Sequence, residues 1–419
     1  MPTFRISTLL LALAVGSPAI AQNLQRLPLA NADDLVASAL VAAPNPGFNT
    51  ERESVQFAWK LDARQALQAP APYVDDSRQF WVNVSAAQMR RGYAIDTTAP
   101  GAVIRISPGQ DSDMTALALG DLQVQVAGKT LDSAQAVERA ADAEQLRQAG
   151  AEFSAGTLAF RIRPELGAGR ISLKAANAKG SYLLHVYEPD SALHLRLDTD
   201  RASAIAGGEV AVSARLYDGD RAIAAGRLGG LITAPDGRSV DLRFVEGADG
   251  SIVARAALPA DAASQPGLWE VHTFATTKYG KARVLRDAKT AIAVAAPTAR
   301  FAGEIGFDTR RGVELTLPVQ AASEGRYQAS GVLYGTDANG QLQPIAAAQS
   351  AAWLEAGTSA LALRFGPEVL NAALRAPYAL RDLRLADQTR MGQLEHRATG
   401  IENLGGGATT DQPGAPAAF

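Results

Sequence analysis

Four histidines, His185, His194, His272 and His396, are the only imidazoles in the chain, and it has no cysteine. The missing thiols exclude disulfides, thiolate zinc sites, iron–sulfur clusters and cysteine nucleophiles. A serine nucleophile needs a histidine that a carboxylate orients, and no G-x-S-x-G elbow occurs in the chain. His185 and His194 each alternate with leucine or valine neighbours. Period two therefore predicts that both face solvent on strands. His272 follows Val271 in a strand that also carries Trp269, and His396 sits in the charged stretch Glu395-His396-Arg397. No H-E-x-x-H motif and no histidine pair at i, i+4 is present, so a transition-metal centre is not expected.

Oxygen ligands are more plentiful. Asp218-Gly219-Asp220, Asp111-Ser112-Asp113, Asp198-Thr199-Asp200 and Asp75-Asp76 are the calcium candidates, with Asp218 and Asp220 the best placed. None completes a D-x-[DN]-x-[DN]-G loop, and hairpin turns favour Asp and Gly for backbone reasons alone. No other cofactor is expected. Paired carboxylates could hydrolyse glycosides, and Glu165, Glu188, Glu246 and Glu270 lie near strands. Exposed tryptophans would mark a sugar-binding face. Trp59, Trp81, Trp269 and Trp353 each sit among apolar neighbours and are expected in cores. Gly167-Ala168-Gly169 precedes a strand, so it is a turn and not a phosphate loop.

The elements that must position these residues are mostly strands. Residues 22–79, an irregular N-terminal segment, and the stretch on to about Val84 lack clean periodicity, but Phe57, Trp59, Tyr73, Phe80 and Trp81 mark a segment that packs onto something. Over 80–190, Ala102–Ile106, Leu122–Val126, Gly156–Ile162 and Tyr182–Tyr187 alternate as strands. One helix is expected over Ser133–Gln148, from the spacing of Val137, Ala140, Ala141, Leu146 and Ala149, with Gly150 as its stop.

Residues 191–298 predict seven strands, Leu193–Leu197, Glu209–Tyr217, Leu228–Thr233, Ser239–Phe244, Ser251–Ala257, Gly267–Thr276 and Thr290–Ala295. Asp218-Gly219, Pro235-Asp236-Gly237 and Asp249-Gly250 supply tight turns, and Trp269 sits mid-strand. This is an immunoglobulin-like pattern without the cysteine pair. Residues 299–400 repeat it with Gly312–Pro318, Tyr327–Tyr334, Leu342–Ala347, Ser359–Phe365 and Ala379–Leu385, and a hairpin turn at Asp337-Ala338-Asn339-Gly340. Pro367 to Leu374 reads as a short helix or a loop, and 401–419 as a disordered Gly/Ala/Pro tail.

Trp269-Glu270-Val271 through Arg283, Ala296-Pro297-Thr298-Ala299 and Gly331-Val332-Leu333-Tyr334-Gly335-Thr336 resemble a bacterial Ig-like module. Trp353-Leu354-Glu355-Ala356-Gly357, Leu363-Arg364-Phe365 and Ala376-Pro377-Tyr378-Ala379-Leu380 resemble a C-terminal sandwich domain of some exported bacterial proteins. The chain is similar to an uncharacterised family of exported proteobacterial proteins with a domain of unknown function. These are packing and turn residues, so the resemblance implies a fold and no catalytic role.

Export is read from residues 1–21. Arg5 is followed by the apolar run Ile6 to Val15, then Gly16-Ser17-Pro18 and Ala19-Ile20-Ala21. This pattern predicts a Sec-type signal peptide cleaved after Ala21. The run is too short for a membrane span, and without cysteine there is no lipoprotein anchor. A periplasmic or secreted location follows. The net charge of −3, from 40 Lys+Arg against 43 Asp+Glu, argues against a nucleic-acid partner.

The expected fold is thus mainly β: three tandem Ig-like β-sandwich domains after a cleaved signal peptide, the first with one helix. The expected function is a non-enzymatic, exported binding or interaction protein directed at an envelope protein, a host surface or a polysaccharide. The alternative is a secreted hydrolase, or an accessory to one, with its site in an inter-domain cleft.

Overall fold

The computed structural model describes residues 23–47, 50–62, 67, 73–109, 116–247 and 251–405. Residues 1–22, on which the signal-peptide expectation falls, Asp111 to Asp113, Asp249-Gly250 and the residues beyond 405 lie outside the described residues. The chain is mainly β, with short helices at Ala86–Arg91, Ser133–Ala136 and Ala143–Gln148 among the described residues.

Three hydrophobic cores organise the strands. The first is built around Phe80, Met89, Ile104, Phe160 and Tyr182, the second around Leu195, Val212, Trp269 and Ile292, and the third around Phe307, Leu317, Tyr327, Leu363 and Leu385. Each is closed between two sheets of mainly antiparallel strands, as alternating strands require when one face is apolar. Two of the units share a sheet. Gln79–Ser85, Ser181–Tyr187, Val103–Pro108, Leu158–Ile162 and Val137–Asp142 form one half of a ten-stranded sheet. Ser239–Leu242, Arg227–Thr233, Leu268–Tyr279 and Ala282–Ala295 form most of the other half. A single register pair, Asp287↔Gln79, joins the halves.

The seven strands expected over 191–298 are all present, the last lengthened to Ala282–Ala295. Trp269 is 2% exposed, and its indole nitrogen donates to the Ala262 carbonyl at 3.0 Å. The Asp337–Gly340 turn joins Gly325–Thr336 to Leu342–Leu354. There the Asp337 side chain accepts from the Asn339 and Gln341 amides at 2.8 Å, and Gly340 takes φ 78°.

The expected helix Ser133–Gln148 is corrected. Val137–Asp142 is an edge strand paired with Leu158–Ile162, and it separates two short helices. Its helical spacing rested largely on alanines, which bury too little area to outweigh sheet pairing. Asp142 then caps Ala143–Gln148 by accepting from the Gln145 amide, and Gly150 follows at φ 84°. At the far end the pattern misses Gly392–Leu404, a 13-residue strand that runs into the segment expected to be tail.

The aperiodic N-terminal segment is the largest surprise. Asn23–Arg26 pairs with Glu304–Asp308, and Val55–Lys60 pairs with Leu342–Leu354, both in the third unit. Val74–Ser77 pairs with Leu193–Thr199 in the second unit. The segment completes sheets whose other strands lie more than a hundred residues downstream, so its periodicity carries no local turn signal.

Candidate binding face on the third sandwich

The sequence-nominated residues converge mainly at the seam between the first two units. Arg286 is 1% exposed and Glu188 is 0% exposed, with Nη1 and Oε1 3.2 Å apart. Arg286 also donates to the Leu193 and Leu285 carbonyls and to the Thr98 and Ser191 hydroxyls, at 2.7–2.9 Å. The other Glu188 oxygen accepts from the Thr98 amide and hydroxyl at 2.6 Å and from the Ala99 amide at 3.2 Å. A buried pair persists when its remaining donors and acceptors are satisfied in this way. Asp287 is buried beside it. It accepts from the Trp81 amide at 2.9 Å, and its carbonyl accepts from Ser77.

Two histidines lie over this seam. His185 stacks on Trp81 with centroids 4.9 Å apart, and its Nε2 is 2.6 Å from the Gln79 amide oxygen. Burial, reinforced by Arg105, pushes its pKa down to about 4. His272 meets Trp81 edge-on, and its Nε2 lies 3.6 Å from Asp287. Lys289 Nζ lies 5.0 Å from the Trp81 ring centroid. His185 and His194 are therefore not the solvent-facing residues that alternation predicts. His194 is 6% exposed, stacked on Tyr217 and 3.4 Å from Asp76, because strand Val74–Ser77 flanks its strand. His396 hydrogen-bonds Asp382 at 2.8 Å in the third unit.

The four flagged glutamates share no partner among the described residues. Glu188 is consumed by the seam, Glu270 pairs with Lys289 at 3.0 Å, and Glu165 and Glu246 are exposed in different units. Of the calcium candidates, Asp218 pairs with Arg221 at 3.4 Å, and Asp220 is exposed in the adjoining turn. Asp198 is half-buried, and Asp200 accepts from the Ala211 amide. No group of three or more His, Asp or Glu side chains positioned to hold a metal occurs among the described residues.

The open chemistry lies elsewhere, on residues expected in a core. Trp59 is 46% exposed and Phe57 is 57% exposed. Both lie on edge strand Val55–Lys60, two residues apart, and so on the same face of the sheet. Ala58, between them, packs inward against the third core. The register sets this orientation. Ala58 pairs with buried Ala348, which places Trp59 opposite Ala347 and Phe57 opposite Gln349 on the outer face. Trp81 and Trp353 are half-buried, so of the four tryptophans only Trp269 meets the expectation of full burial.

A chain of amides runs across this outer face to Phe57. Arg326 is 4% exposed, and its Nη1 donates to the carbonyls of Glu51 and Glu53 at the approach to the edge strand. Its Nε donates to the Gln388 amide oxygen at 2.9 Å. Gln388 then donates to Gln328 at 2.5 Å, and Gln328 donates to the Gln349 oxygen at 3.5 Å. A guanidinium only donates, so it sets the direction of every amide that follows. The result is a Gln349 NH₂ left as a free donor beside an exposed aromatic ring. Sequence analysis missed this group. The strand pairing that assembles it joins residues hundreds apart, and no local signal marks it.

Residues 47–188 match the model of the DUF4785 N-terminal domain, and residues 298–404 match that of the DUF4785 C-terminal domain, both described as domains of unknown function. The chain belongs to this family. The solved DUF4785 protein from Legionella pneumophila superposes with a TM-score of 0.68 at 22% identity, covering 88% of this chain and 99% of that one. That likeness shows the fold. Salmonella α2-macroglobulin reacted with methylamine aligns over 81% of this chain and 24% of its own at 12% identity, but its TM-score of 0.21 carries no argument. A search of the curated proteins finds no match. The Phe57, Trp59 and Gln349 face straddles the two matched DUF4785 regions. The aromatic pair comes from the first region and the amide chain from the second. No helix among the described residues is long and apolar enough to cross a membrane.

Proposed function

We propose that this DUF4785 protein is an exported, non-enzymatic binding protein, whose recognition surface is the outer face of the third sandwich around Phe57, Trp59 and Gln349. One observation carries the reading. Two large aromatic side chains stand about half exposed on a regular sheet, beside an amide donor whose direction a buried arginine fixes. Exposed aromatics flanked by oriented polar groups are the composition of recognition surfaces. Export rests on the signal-peptide pattern, with cleavage after Ala21 and a periplasmic or secreted mature chain.

The seam supports the same reading against a hydrolase. Arg286 and Glu188 satisfy one another there at 0–1% exposure, so this pair is closed to a substrate. Three measurements test the proposal. N-terminal sequencing of the protein from culture supernatant and periplasm is expected to begin at Gln22. Cross-linking from the native envelope is expected to capture a partner with wild type and to lose it with Trp59→Ala. Turnover of a hydrolase substrate panel, abolished by one point substitution, would overturn the non-enzymatic reading and restore the cleft alternative.

A further inference from the structure

We propose that the partner of this face is a neutral polysaccharide, with adjoining sugar rings seated on Trp59 and Phe57 and a hydroxyl accepting from the Gln349 amide. This rests on the preceding assignment of the face as the recognition surface and adds the chemistry of its ligand.

Three features of the face select that chemistry. The first is the pair of rings. Residues two apart on a strand are separated by roughly 6.8 Å, a span that adjoining sugar rings can bridge. Among the described residues, neither ring stacks on another ring or carries a cation. About half of each ring is open to solvent, whereas Trp81 is half-buried and meets His185 and Lys289. The C–H face of a pyranose is apolar and weakly positive, which matches the negative face of an aromatic ring. The second feature is the floor beside Trp59. Ala347 lies opposite it, so a flat ring meets only a methyl group at that position of the neighbouring strand.

The third feature is charge. Arg381 pairs with Glu402 at 3.0 Å, Arg384 with Asp382 at 2.9 Å, and His396 with the same Asp382 at 2.8 Å. Arg52 lies 4.0 Å over the Trp353 ring and 3.8 Å from Glu355. Lys60 alternates to the side opposite Trp59. Arg52 beside the edge strand, and Arg381, Arg384 and His396 further across the same sheet, are therefore each met by a carboxylate, and what the face offers a ligand is aromatic surface and an amide N–H. An acidic glycan would find no unpaired cation there to repay its desolvation. A neutral sugar, with apolar faces and hydroxyl edges, matches both groups. Arg326 is a positioning residue in this arrangement. It directs the amide chain and ties down the backbone leading into the edge strand.

The test is binding by the full chain to cellohexaose, chitohexaose, maltohexaose and laminarin as neutral probes, with polygalacturonate and heparin as acidic ones, followed by calorimetry and tryptophan fluorescence. The expected result is binding to at least one neutral probe, insensitive to salt, with a fluorescence change that Trp59→Phe removes. Trp59→Ala, Phe57→Ala and the near-isosteric Gln349→Glu are each expected to weaken binding by about tenfold or more. Their thermal melts should stay close to wild type, which separates lost contact from lost fold. Preference for an acidic probe with steep salt dependence overturns the proposal, as does neutral-probe binding unchanged in all three variants. If no neutral probe binds, while Trp59→Ala still abolishes capture of an envelope protein, the glycan assignment falls and the recognition face stands. If neither depends on Trp59, both fall.

Discussion

The seam between the first two units and the outer face of the third differ in burial: at the seam the charged and aromatic groups are enclosed by the protein, and on the outer face two aromatic rings stand in water. At the seam, Arg286, Glu188, Asp287 and Trp81 all have partners inside the molecule, and His185 and His272 pack against the Trp81 ring. On the outer face, Phe57, Trp59 and the Gln349 NH₂ face water, although Arg326 and Gln388 behind them are tightly bonded. Glu188 and Asp287 are thus held inside the fold, and Trp59, expected in a core, stands in water. Chemical capability belongs to a residue type. Availability belongs to its surroundings.

Substitutions can break this contrast. The largest effect is expected for Glu188→Ala, which strands buried Arg286 and the Thr98 and Ala99 amides. A loss of about 3–5 kcal/mol is expected in denaturant unfolding, and a smaller loss for Glu188→Gln, which keeps the hydrogen-bonding shape. A cost near zero would show that the seam is open to water.

The seam should also respond to acid. His185 ionises near 4 in the folded chain against an ordinary 6.5. Across that interval the unfolded chain binds the extra proton, so stability falls as pH drops through it and is regained above about 6.5. Allowing for partial exposure, the effect is on the order of 1–2 kcal/mol. His185→Gln should flatten that part of a pH-dependent melting curve, and an unchanged slope would place the titration elsewhere.

The outer face should behave oppositely. Trp59→Ala and Phe57→Ala should each cost about 1 kcal/mol or less in the same unfolding measurement, because neither closes a core. A loss matching that of a buried aromatic would show that Trp59 holds the sandwich together. The smallest change is expected for Arg384→Ala. It removes a pair with Asp382 whose side chains are about 45% exposed, and should shift stability by about 0.5 kcal/mol or less.

Much of the fold was legible in the sequence because the strands of the second and third units alternate locally and their turns carry Asp-Gly and Asn-Gly signals. Trp269 could be placed in a core for the same reason. The Ser133–Gln148 helix was misread where alanines supplied the periodicity, and the strand Gly392–Leu404 was missed where glycine and charge blurred it. The site was scarcely legible. In the N-terminal segment no wider pattern or turn signal frames Val55–Lys60, and six residues by themselves say only that Phe57 and Trp59 would share a face opposite Ala58.

By itself, the sequence determined that the chain is mainly β and that its residues offer no thiol chemistry. These follow from composition and from near-neighbour spacing. Only the tertiary structure decided which face of each strand meets water. Pairing Ala58 with Ala348 turned two aromatic rings outward, and pairing His194 with Tyr217 and its strand with Val74–Ser77 turned an expected surface histidine inward. The physical reason is that a strand has two equivalent faces. Which one is buried depends on its register with partners far away in sequence, and on what packs against them.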